Sequence, residues 1–124
     1  MKDREIENII KSWSKGVGKL TTHYGSHRKL ETFVDNTTGR GMLFIGINKE
    51  TNKANSIRKY IYFQELTNIK NKLIKNQEIS FKEIGEITAG NCATHIAIVI
   101  LSEILNIGFA DYHFRKLTYK KRVL

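Results

Sequence analysis

Apolar side chains recur at helical spacing at Ile6, Ile9, Ile10 and Trp13, which predicts a helix over Asp3–Ser14. Gly16 and Gly18 then stop it. The pattern changes to runs with strand character at Leu30–Asp35 and Gly41–Asn48. The polar turn 36–41 between them predicts a hairpin. A second polar turn, 49–55, leads to a third strand, Ser56–Glu65, completing an antiparallel meander.

Leu66, Ile69, Leu73 and Ile74 fall on one stripe of a short helix over Leu66–Lys75. Segment 78–88 reads equally as strand or short helix. The run Ile96–Leu105 is too apolar for a solvent-facing helix, and Gly108 is its expected stop. Its start is expected at Asn91, so a helix over 91–106 is predicted to be long and buried, with a second subunit needed to cover it. Phe109–Lys120 reads as a last strand. The order of elements predicts one α+β domain over 1–124, an antiparallel sheet packed with helices, in an oligomeric protein.

A chain of 124 residues has room for one core. No apolar run reaches the roughly 18 residues that span a bilayer. The charged, amphipathic start, Met1–Lys11, has no apolar signal-peptide core, and a cytoplasmic location is expected. The formal charge of +9 favours an anionic partner: nucleic acid, a nucleotide or an acidic protein. One cysteine excludes an intramolecular disulfide and a multi-cysteine zinc site. The four histidines are scattered, so no metal site is expected.

The candidate chemistry starts at 89–95, Ala-Gly-Asn-Cys-Ala-Thr-His. Asn91 is a good N-cap and Gly90 lets a ligand come close. Unpaired N–H groups at a helix start suit a phosphate. His95, four residues on, shares a helical face with Asn91, and serves either that ligand or a structural hydrogen bond. Phe81, ten residues before Asn91, is a core anchor or a stacking platform for an adenine. Arg115, on the expected last strand, offers a fork for two phosphate oxygens. Arg58, Tyr60, Tyr62 and Gln64 share one strand face, fit for stacking a base or simply half-exposed.

These pieces resemble a phage family, the first type of Thoeris anti-defence protein, over most of the chain. The carrying residues are Arg58 in Ser56-Ile57-Arg58-Lys59-Tyr60, Phe81, Gly90-Asn91-Cys92-Ala93-Thr94-His95, and Arg115 in Tyr112-His113-Phe114-Arg115. The resemblance implies a non-catalytic sponge that sequesters cyclic ADP-ribose isomers, such as glyco-cyclic ADP-ribose, made by TIR-domain enzymes. It implies a homodimer or higher assembly in the host cytoplasm, with no cofactor and with cyclic oligonucleotides held by some members at a separate site. Under it Phe81 stacks on a base, Asn91 and Arg115 hold polar or phosphate groups, and Arg58 completes the cationic lining or serves the second site.

Two other readings compete. A small nucleic-acid-binding regulator explains the charge equally well but lacks a basic recognition helix. An enzyme would draw on Cys92, His95 and His113, which have no identifiable orienting carboxylate.

Overall fold

The computed structural model describes residues 3–88 and 93–121. Helix α1, Asp3–Ser14, precedes β1, Lys19–Thr21; β2, His27–Asp35; β3, Arg40–Ile47; and β4, Ala54–Tyr62. These four strands form one antiparallel sheet in chain order. The hairpin between β2 and β3 forms where expected. Asn36 Oδ1 accepts from the amides of Thr38 at 2.9 Å and Gly39 at 3.2 Å, so the asparagine itself closes the turn.

The third strand ends three residues earlier than its pattern predicts. Helix α2, Phe63–Asn76, begins at Phe63 because Glu65 Oε1 accepts the Tyr62 amide at 2.8 Å, an N-terminal capping contact. Gln77, in the left-handed region at φ 65°, ends α2. The ambiguous segment proves to be both alternatives in succession: strand β5, Glu78–Ser80, then helix α3, Phe81–Ile87.

The expected long helix is corrected. Helix α4 covers Thr94–Val99 with Ala93 at the N-cap, and its last turn, Ile100–Ile104, widens to π geometry. There Leu105 N donates to Ile100 O at 2.8 Å. Asn106, at φ 54°, stands in the left-handed region just beyond it. Gly108 is instead in a strand, where the Leu117 side chain fills the space a Cβ would need. The apolar side chains Ile96, Ile98, Ile100 and Leu101 are buried within a single chain, in a segment that packs against α1, α3, β1 and the strand Gly108–Asp111. The burial of this helix therefore needs no second subunit.

The expected last strand is a hairpin. Strands β6, Gly108–Asp111, and β7, Lys116–Tyr119, pair antiparallel, and β7 also pairs with β5, giving a second sheet in the order β5-β7-β6. Asp111 Oδ1 accepts from the amides of His113 and Phe114, both at 3.0 Å, and forms the turn between them. One core joins the two sheets and the helices, with Phe44, Ile61, Leu66, Ile69 and Ile98 fully buried at its centre. No helix is long and apolar enough to cross a membrane among the described residues.

Candidate functional site

Where β5 passes into α3, Ser80 Oγ accepts the Glu83 amide at 3.1 Å and caps the helix. This sets Phe81 as the first helical residue. Its amide donates to the carbonyl of Arg115 at 2.9 Å, tying α3 to the end of the β6–β7 turn. Arg115 stands at φ 55°, a left-handed conformation that costs a non-glycine residue energy. On the opposite wall, Gly85 of α3 meets Thr94 of α4: a Cβ at Gly85 would lie 3.2 Å from Thr94 Oγ1.

These segments enclose a cleft of about 650 Å³ lined by Ser80, Phe81, Lys82, Gly85, Thr94, His95 and Arg115. That is ample for a small nucleotide, since ligand sites span roughly 300–1,000 Å³. Arg115 and Lys82 are exposed at its edge, and no acid lines it among the described residues. The field is therefore positive and suits an anion.

A cluster of rings stands around the cleft. Phe81 meets His95 edge to face at 6.4 Å and Tyr112 at 5.4 Å. Tyr24 stands edge-on to His95 at 4.8 Å, and Arg115 Nη1 reaches the Tyr24 hydroxyl at 3.5 Å. His23 stacks flat on Tyr112 at 3.8 Å. His23 and Tyr24 come from the turn between β1 and β2, so a distant segment completes the ring of aromatics.

His95 Nδ1 is buried and has no hydrogen-bond partner among the described residues. Burial holds the His95 pKa below its ordinary value, and the positive charges of Arg115 and His23 push the same way. The ring is thus neutral near neutral pH. The Tyr112 hydroxyl is raised, first by burial, then by the carboxylate of Glu103 and by Tyr24. It stays protonated and can donate.

Of the residues picked out from the chain, Phe81, His95 and Arg115 meet here. Phe81 is only 3% exposed, so it serves the core as well as the cleft wall. Arg115 belongs to a turn rather than to a strand face. Arg58 and Tyr60 lie elsewhere, on β4 of the first sheet. Arg58 pairs with Glu31 at 3.5 Å and donates to Asn55 O at 3.0 Å, while Tyr60 stacks alongside Tyr62. Gly90, Asn91 and Cys92 lie outside the described residues, but the helix expected to start at Asn91 starts at Thr94. His113 is exposed and packs edge-on to Phe114, away from the cleft lining.

Sequence reasoning missed His23, Tyr24 and Tyr112. Nothing local marks the first two, which join the site only through tertiary packing. Asp111 could have marked the turn that presents Tyr112, because Asp readily hydrogen-bonds amides two or three residues on. No family model, curated protein or solved structure matches the chain.

Proposed function

We propose that this chain captures a cyclic ADP-ribose-type signalling nucleotide in the Phe81–His95–Arg115 cleft and holds it without cleaving it. The observation that carries the reading is the convergence of those three residues, far apart in sequence, on one cationic, aromatic-walled cleft. The ligand's pyrophosphate pairs with the Arg115 fork and Lys82. Its adenine lies against the edges of Phe81 and Tyr24. A ribose hydroxyl meets the His95 ring where it lines the cleft. Under this reading the protein acts in the host cytoplasm as an anti-defence sponge, and it works as a homodimer or higher assembly. Phe114, 70% exposed beside the cleft turn, is an apolar surface that a second subunit would cover.

The test is retention. Protein mixed with cyclic ADP-ribose isomers is filtered free of unbound ligand and denatured, and the released compound is identified by mass spectrometry. Unaltered cyclic nucleotide is the expected result. A hydrolysed product would make the protein an enzyme.

A nucleic-acid reading draws on a different surface. Tyr60 and Tyr62 stack at 6.3 Å on the edge strand β4, next to exposed Arg58. Binding to mixed RNA that collapses steeply with salt, without retention of cyclic nucleotide, would favour it.

A further inference from the structure

A second cleft, of about 410 Å³, opens on the far side of the β1–β2 turn, between the first sheet and the π turn that follows α4. Its volume is within the range of small-molecule sites. Arg28 of β2 lies at its base, opposite Leu20 in register. The guanidinium is seated over Gly46: a Cβ there would come within 2.8 Å of Arg28 Nη1 and closer still to the Asn55 side chain. A side chain at 46 would make the ends of Asn55 and Arg28 shift. Yet Arg28 Nε is buried without an acceptor, and Arg28 joins no ion pair among the described residues. A buried, unmatched guanidinium N–H costs roughly 1–3 kcal/mol or more. An arginine that lines a cleft and has no carboxylate partner among the described residues leaves its terminal N–H groups for an anion.

The rest of the lining narrows the ligand. Lys19 and His27 also line the cleft, and His27 Nδ1 shares a hydrogen bond with Thr21 Oγ1 at 3.2 Å. Three basic side chains suit a doubly charged oxyanion better than a carboxylate. Across the cleft, the π turn presents Glu103, an exposed carboxylate with no ion-pair partner among the described residues. It would repel a second phosphate and accept from hydroxyls, while the Asn52 amide, also in the lining, can donate or accept. Trp13 supplies a flat apolar wall of the kind on which a sugar ring packs. π turns recur at functional sites because they redirect side chains out of helical register.

We propose that this cleft is a separate binding site for a small sugar phosphomonoester, its phosphate on Arg28, Lys19 and His27 and its hydroxyls on Glu103 and Asn52. The site shares no lining residue with the Phe81 cleft and does not depend on the function proposed for that cleft.

Trp13 is the single tryptophan of the chain, so its fluorescence reports this cleft directly. The probe is ribose 5-phosphate, which does not absorb where tryptophan does, with free ribose as control. The expected result is a saturable change with Kd of about 1 mM or tighter, none with ribose, and the same curve in Arg115→Gly. Arg28→Gln should weaken binding at least tenfold, and Lys19→Gln, an exposed substitution that the fold tolerates, about threefold. A flat titration overturns the proposal, as does an equal response to ribose. If Arg28→Gln does not fold, unchanged affinity in Lys19→Gln overturns it by itself.

Discussion

The amide of Phe81 donates to the carbonyl of Arg115 at 2.9 Å, across 34 residues of chain. One backbone bond thus fixes the aromatic wall of the cleft to its cation. The bond exists because Ser80 ends β5 and caps α3, leaving the first helical amide free to reach the hairpin turn. It makes the cleft part of the folded framework rather than of a loose loop.

Phe81 serves both packing and the cleft, so its substitutions separate the two by size. Phe81→Ala should destabilise the protein by about 3 kcal/mol, the usual cost of emptying a buried aromatic site. Phe81→Leu preserves most of the volume and should cost about 1 kcal/mol. Both should weaken nucleotide capture at least tenfold. Chemical denaturation paired with calorimetric titration checks this; full capture by the leucine variant would remove the ring from the site.

Arg115 is a left-handed non-glycine residue, and glycine relieves that strain. Arg115→Gly should therefore leave stability unchanged or raise it by up to about 1 kcal/mol, while capture falls at least tenfold. A variant that melts as late as the parent and still binds equally well would clear Arg115 of any ligand role.

His95 gives a pH dependence with a defined sign. Its folded pKa lies below the ordinary value of 6.5, so the unfolded chain binds the proton more readily. The stability linked to His95 is fully present above about 6.5. It begins to fall as pH drops below that value and is lost once pH passes the folded pKa. Thermal unfolding between pH 7.5 and 5.5 should show this decline, and His95→Gln should flatten it. Parallel curves for parent and variant would contradict the assignment.

Ser80→Ala removes the side-chain cap of α3 and should cost about 1 kcal/mol. The effect on capture should be larger than the effect on stability implies, because fraying the first turn loosens Phe81 against Arg115. Titration at a temperature where the variant remains folded measures it.

Much of this fold was legible along the chain. The α1 stripe, Ile6 to Trp13, and the Asn36 turn of the β2–β3 hairpin are set by contacts within a few residues, and they form where the pattern puts them. The start of α2 was not, because Phe63 and Gln64 fit a strand equally well. The Glu65 carboxylate on the Tyr62 amide decides it.

The site was legible only as separate residues. Phe81, His95 and Arg115 stood out by type and setting, but periodicity placed Arg115 on a strand, and the resemblance put Arg58 in the same lining or at a second site. Asp111 turns the chain beneath Arg115, while Arg58 and Tyr60 belong to the other sheet.

By itself, the sequence determined the α+β class, the meander and the identity of the groups able to do chemistry, because local periodicity, turn residues and side-chain type act over a few positions. Only the tertiary structure decided that His23, Tyr24 and Tyr112 stand around the Phe81–His95 cleft, that the Arg28 guanidinium lies over Gly46, and that the apolar α4 segment is covered within one chain. Those outcomes depend on which surfaces meet when the two sheets pack on a common core, and pairing between distant segments leaves no periodic trace in either.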